Sequence, residues 1–151
     1  MRFFIDISYD GTNYHGWQIQ PNAKTIQDQI NKAISTILNQ EINVVGAGRT
    51  DTGVHAKQLI AHFDYEKKID IKKTIHKLNG FLDDDISINE IYRVKSDAHA
   101  RFSALSRTYT YSISKIKDPF SKYSILINRD LNLEQMSKAC KYILGEKDYS
   151  A

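Results

Sequence analysis

Cysteine is nearly missing from this chain: Cys140 stands alone among 151 residues, so no internal disulfide framework exists. No Cys/His set falls at zinc-ligand spacing. The histidines His15, His55, His62, His76 and His99 contain no His-x-x-x-His pair. There is no Gly-x-Ser-x-Gly nucleophile motif. The third glycine of a dinucleotide loop and the Gly-Lys-Ser of a phosphate loop are both missing after Gly46-x-Gly48. No run of about 18 apolar residues is present. Charge enters at once in Met1-Arg2-Phe3-Phe4-Ile5-Asp6, too soon for a signal peptide. These scarcities predict a reduced, cytoplasmic, soluble protein with no membrane partner, no metal and no organic cofactor.

What is present is an ordinary globular balance. Apolar residues make up 41% and charged residues 26%, enough for a packed core in a chain of roughly one domain's length. The net charge of +3 permits a polyanionic partner without demanding one. Nine tyrosines, six phenylalanines and one tryptophan are the excess. Aromatics interleaved with Lys, Arg, Asn and His suit base stacking, but a strand-rich core also collects them, and composition alone favours the core.

Periodicity orders the chain. Residues 2–10 alternate as a strand, with Phe3, Ile5, Ile7 and Tyr9 on one face. A loop through Trp17 and Pro21 follows; Trp17 is expected as a core anchor, with a stacking platform as the alternative. Thr25 and Asp28 read as a capping box. Ile26, Ile30, Ala33, Ile34, Ile37 and Leu38 then form one helical stripe that ends near Asn39. A short strand over 42–46 and another over about 55–64 flank a glycine loop. A helix behind Asp70 buries Ile71, Ile75, Leu78 and Leu82, Asp83-Asp84-Asp85 is a solvated turn, and 86–94 is a strand. The order β-α-β-β-α-β is the split β-α-β pattern. It predicts an α+β, ferredoxin-like fold: an antiparallel sheet with helices on one face and a free opposite face. After a loop over 97–104, Arg107–Ile113 alternates as a strand with Tyr109 and Tyr111 beside Arg107. Asn132 caps a third helix that Gly145 stops, with Cys140 expected as a small core residue on its apolar side. Residues 1–105 thus form a ferredoxin-like N-terminal half, and 106–151 begin a second similar unit whose return strands do not arrive. Either a second chain covers the exposed apolar side of that third helix or the sequence is a fragment, and the fragment is the favoured expectation.

The candidate chemistry sits in Gly46-Ala47-Gly48-Arg49-Thr50-Asp51-Thr52-Gly53-Val54-His55. Its glycines permit positive φ and close approach of a ligand. In an extended run Arg49 and Asp51 share a face, so the guanidinium can reach both the carboxylate and a bound anion. A carboxylate held ionised by a cation is what a nucleophile or general base requires. Asp6 and Asp10 lack such an arginine in sequence; Asp97, near His99 and Arg101, is a weaker rival. His99 and Arg101 are candidate anion contacts. Asp51-Thr52-Gly53 also spells the aspartic-protease tripeptide. Those enzymes are all-β, however, and Arg49 opposes the shared proton of a carboxylate pair.

Tyr9-Asp10-Gly11-Thr12, Gly16-Trp17-Gln18-x-Gln20, Gly46-x-Gly48-Arg49-Thr50-Asp51-x-Gly53-Val54-His55, Ala100-Arg101-Phe102-Ser103-Ala104 and Arg107-x-Tyr109-x-Tyr111 stand in the order found in one family. In these motifs the chain resembles the TruA-type tRNA pseudouridine synthases over nearly its whole length. The resemblance implies isomerisation of uridine to pseudouridine at positions 38, 39 and 40 of the tRNA anticodon stem-loop, without cofactor, by a homodimer. It implies residues 1–105 as the catalytic half, Asp51 as the catalytic aspartate, Arg49 as the residue that positions it, and Tyr109 as the ring stacked on the target uracil. Gly48, Thr50, His99 and Arg101 would line the substrate. Asp148-Tyr149-Ser150-Ala151 matches the start of a continuation that completes the family's second half, including a further basic group. Two other functions compete: an RNA-binding module without chemistry and, more weakly, a protease-like protein.

Overall fold

The computed structural model describes residues 1–145. The proposed continuation motif at Asp148–Ala151 lies outside the described residues. Contacts divide the chain into two units, Met1–Arg107 and the residues from Thr108 on.

The first unit is built from β1 (Arg2–Tyr9), a single 3-10 turn (Gly11–Asn13), α1 (Ile26–Leu38), β2 (Val45–Gly46), β3 (Ala56–Asp64), α2 (Ile71–Phe81) and β4 (Ile86–Val94). Its four strands form an antiparallel sheet in the order β2-β3-β1-β4, the expected ferredoxin-like arrangement. Strand alternation divides the sheet's two faces. Phe3, Ile5, Ile7 and Tyr9 of β1 join Leu59, Ala61 and Phe63 of β3 in the core. Ile86, Ile88 and Ile91 of β4 complete that face. Ile26, Ile30, Ala33 and Ile34 of α1 and Leu78 of α2 cover it. At about 1.5–3 kcal/mol per fully buried aliphatic side chain, the α1 stripe is a leading favourable contribution to docking that helix.

Both helix ends follow their residue chemistry. Asn39 ends α1 in the left-handed region at φ 50, a conformation that asparagine tolerates. Asp70 caps α2 by accepting from the Lys73 amide at 3.1 Å. The capping box at Thr25 does not form. Thr25 makes no side-chain cap bond, and Asp28 instead accepts from Lys32 and Gln29. Two of the first α1 amides find backbone partners in the preceding loop instead: Ile26 donates to the Gly16 carbonyl and Gln27 to that of Trp17.

The strand expected over 42–46 shortens to Val45–Gly46. Ile42 and Val44 are buried, but α1 side chains take their backbone groups. Ser35 Oγ accepts from the Ile42 amide, Asn31 Oδ1 accepts from the Val44 amide, and Gln27 Nε2 donates to the Val44 carbonyl. Trp17 is 3% exposed, so it is a core anchor and not a stacking platform.

The second unit contains β5 (Ser112–Ser114), β6 (Ser124–Leu126) and α3 (Leu133–Ile143). The strand expected over Arg107–Ile113 is confined to β5, which pairs in parallel with the unforeseen β6. Residues 104–111 hold no ladder bonds, so their alternation has no sheet to act on. Asn132 caps α3 by accepting from the Gln135 amide at 2.9 Å. No α3 residue is buried, and Cys140 is exposed rather than packed in a core. No helix among the described residues is long and apolar enough to cross a membrane.

Candidate active site

The C-terminal end of β1 and the N-terminal end of β3 meet where Tyr9 pairs with Ala56. The chain therefore brings the turn after β1 and the glycine loop before β3 to one end of the sheet. Residues 9–17 form a bed on which loop residues 46–55 lie. Tyr9 Oη and Thr50 Oγ1 are 2.8 Å apart. The Trp17 amide donates to the Thr50 carbonyl at 3.0 Å, and the Gly53 amide to the Tyr14 carbonyl at 3.2 Å. Nδ1 of His55 is 3.1 Å from the Gly11 amide and 2.9 Å from Oδ1 of Asp10. Unprotonated there, it accepts from the amide; protonated there, it donates to the carboxylate. In both states it ties the loop's end to the turn after β1.

The bed is close-packed. A Cβ on Gly11 would stand 2.1 Å from the Val54 carbonyl oxygen, and one on Gly16 would stand 2.3 Å from that of Thr50. Neither position has room for a side chain. Within the loop itself the glycines act differently from the expectation. Only Gly53 has positive φ, at +77, and Gly46 leaves space for the Trp17 indole rather than for a ligand.

Asp51 opens a turn closed by the Val54 amide on its carbonyl at 3.2 Å. Thr50 is half-buried while Arg49 and Asp51 are both exposed, so the parity that puts them on one side is present. The expected Arg49–Asp51 pair is not formed. Among the described residues, neither side chain has a hydrogen bond or ion pair, because only Thr50 between them is pinned and its neighbours project into solvent. An exposed carboxylate and an exposed guanidinium two positions apart remain open to a substrate.

The second expected loop packs beside the sheet's open face. His99 is half-buried, and its Nδ1 accepts from the amides of Arg101 and Phe102 at 3.2 and 3.4 Å. That nitrogen is a turn cap, and only the other edge of the ring remains for an anion. The Ala100 amide donates to Nδ1 of the buried His62 at 3.2 Å. Burial, then the Arg2 charge and His99, hold the His62 pKa below its usual range. Arg101 is exposed. Gly48 has only the Arg107 guanidinium nearby, 3.6 Å from where a Cβ would stand.

Sequence reasoning missed the residues that hold the loop. Arg107 reads in sequence as part of a tyrosine strand, yet its guanidinium donates to the carbonyls of Ala47 at 2.8 Å and Arg101 at 3.1 Å. Tyr9 reads as an inward strand residue, Asp10 as a carboxylate without an arginine neighbour and His55 as a motif letter; no periodicity marks the loop-to-loop bonds they make. Tyr109 belongs to the second unit, where it is 71% exposed.

Residues 6–103 match the family described as tRNA pseudouridine synthase. The chain is 47% identical over 152 aligned residues to tRNA pseudouridine synthase A of Bacteroides fragilis, covering 99% of this chain and 60% of that protein. It is 46% identical to the protein of that name from Bacteroides thetaiotaomicron, covering 99% of the chain and 56% of the relative. With that of Thermoanaerobacter sp. the identity is 44%, over 97% of the chain and 62% of the relative. The chain thus spans about three-fifths of the length of these curated relatives.

Proposed function

The chain belongs to the tRNA pseudouridine synthase family, and from that premise we propose that the whole protein converts uridine to pseudouridine in the tRNA anticodon stem-loop, with Asp51 as the catalytic carboxylate. The observation that carries the assignment is the geometry of the loop. Asp51 stands exposed between Thr50, held by Tyr9 and Trp17, and Gly53–His55, held by Tyr14, Asp10 and Gly11. A carboxylate fixed through its backbone and open to solvent is positioned for a base that has left its stack.

The reaction is an isomerisation. The N1–C1′ bond of the uridine breaks, C1′ bonds to C5, C5 loses its proton and N1 gains one, so no electrons are gained or lost. A carboxylate serves each available route: attack on the ribose, attack on the ring, or proton removal at the sugar. Arg49, on the same exposed side, would draw a phosphate or orient Asp51 once substrate fills the space. Tyr109 would hold the detached uracil, at about 1–3 kcal/mol for one stacked base. Gly48, Thr50, His99 and Arg101 would line the substrate. A homodimer in the cytoplasm completes the reading.

The test is Asp51→Asn in the full chain, which keeps the side chain's shape and removes its charge. Pseudouridine formation in a tRNA anticodon stem should disappear while tRNA binding stays near the parent level. Turnover retained in the variant would sink the role of Asp51. Salt-dependent tRNA binding without product in the parent protein would favour an RNA-binding module instead. The protease reading loses its ground, since the Asp51 loop lies on a four-stranded sheet backed by helices in a chain of another family.

A further inference from the structure

The open face of the first unit's sheet carries a line of rings. Tyr92 of β4 meets Phe4 of β1 edge-on at 5.9 Å, and Phe4 lies 6.3 Å from His62 of β3. His62 meets His99 at 4.5 Å, and His99 lies against Phe102 at 4.4 Å. The line ends in water: Phe102 is 78% exposed, with the Arg101 guanidinium 5.8 Å from its ring centre.

An exposed ring on a mobile loop would be unremarked, but this one sits on a tied turn. The His99 amide donates to Ser103 Oγ, the Ser103 amide to the His99 carbonyl, and the Arg101 and Phe102 amides to His99 Nδ1. Arg107 then clamps the Arg101 carbonyl to that of Ala47, two residues before Arg49 and four before Asp51. A largely exposed aromatic ring, a cation poised over it and a rigid link to the Asp51 loop fit one kind of occupant. That occupant is an unpaired nucleotide, whose base stacks on the ring and whose phosphate meets the guanidinium. A base inside a duplex has both faces covered by its stacked neighbours, whereas an unpaired one can be splayed out. The charges agree: Arg49 and Arg101 on the two linked loops, with Arg107 bridging them, outnumber Asp51 and Asp97.

We propose that Phe102, between His99 and Arg101, is a stacking platform for an unpaired base of the RNA substrate, distinct from the base being isomerised, and that Arg107 sets its spacing from Asp51. The proposal rests on the pseudouridine synthase reading for the identity of the RNA. It goes beyond that reading in assigning a second base contact.

The experiment uses the full chain and an anticodon stem-loop RNA with 2-aminopurine at one unpaired position at a time. In the parent protein and in Phe102→Tyr, fluorescence at one such position should be quenched on binding. Phe102→Leu keeps the apolar bulk but has no π-face. It should lose the quench and bind on the order of tenfold to a hundredfold more weakly, the loss of one stacked base, with its Tm unchanged. Unchanged quench and affinity in Phe102→Leu would overturn the platform. So would a fall in Tm or in oligomer mass, because the ring would then be packing against protein. Pseudouridine formation by the parent protein is followed in parallel. Product with no Phe102 effect removes the platform alone; a Phe102-dependent quench with no product removes the enzymatic reading and leaves the platform standing.

Discussion

Tyr9, the last residue of β1, reaches Thr50 across 41 positions of sequence with a 2.8 Å contact between hydroxyls. The core strand thereby fixes the residue immediately before Asp51. Burial is the main reason that the Tyr9 pKa is raised, so the phenol stays protonated and able to donate. Tyr9→Phe keeps the ring and deletes the bond, which should cost about 1 kcal/mol of stability. If the bond positions Asp51, the single-turnover rate of pseudouridine formation should fall well beyond what the small loss of folded protein explains. Urea unfolding and single-turnover kinetics on the same preparation separate the two effects. A reduced urea midpoint with an unchanged rate would show that Asp51 does not depend on this anchor.

The glycines of the site should differ sharply in what an alanine costs. Gly53→Ala meets nothing within 4 Å but must adopt φ +77, a penalty of about 1–2 kcal/mol. Gly16→Ala must adopt φ +80 and also place a methyl group 2.3 Å from the Thr50 carbonyl oxygen. Backbone must move there, and a cost of about 3 kcal/mol or more is expected, with loss of activity because Thr50 is displaced. Gly80→Ala in α2 is the counter-case. It has open space around it and helical backbone, so it should gain up to about 0.5–1 kcal/mol. Thermal melts of the three variants should rank Gly80→Ala above the parent, then Gly53→Ala, then Gly16→Ala.

The contrast between units explains how much the sequence could tell. In the first unit, periodicity and topology were legible because the pattern has a core to answer to: Phe3, Ile5 and Ile7 alternate inward, and the Ile26–Ile34 stripe meets them. Misses in that unit are places where a side chain does a backbone's work. Asn31 and Gln27 satisfy Val44, so residues 42–44 need no strand partner, and no residue pattern distinguishes that from a ladder. In the second unit the same alternation at Tyr109 and Tyr111 meets no neighbouring strand and stays irregular. At the site, the glycine loop and its aspartate were readable as a motif. Its supports at Asp10, His55 and Arg107 were not, because they join residues 44 to 60 positions apart through single contacts.

Thr25 offers a test of the capping correction. Its Oγ1 is buried and has no hydrogen-bond partner among the described residues. A functioning cap would lose about 1 kcal/mol when its hydroxyl is removed. Here Thr25→Val replaces an unsatisfied hydroxyl with a methyl group of similar volume, while the Gly16 and Trp17 carbonyls go on serving the first amides of α1. Stability should stay level or rise by up to about 1 kcal/mol. A clear loss in the urea midpoint would show that the hydroxyl has a partner after all.

His62 should give the fold a dependence on mildly acidic pH. The ring is buried, and its folded pKa lies below the ordinary histidine value of 6.5, first through burial and then through the Arg2 charge and the neighbouring His99; Asp64 opposes them. With the folded pKa depressed, the unfolded chain takes up the proton first as pH falls. Stability is therefore complete above about 6.5 and declines as pH drops below it toward the folded pKa. The Arg2–Asp64 pair acts in a different window. Its hydrogen bond holds the Asp64 pKa below the carboxylate range, so its contribution is lost only at more acidic pH. His62→Gln removes the titrating group, and the melting temperature of the variant should change less between pH 7.5 and 5.5 than that of the parent. Equal slopes over that interval would move the acid sensitivity away from His62, and with it the view that the neutral ring is what supports the Ala100 amide beneath the Phe102 turn.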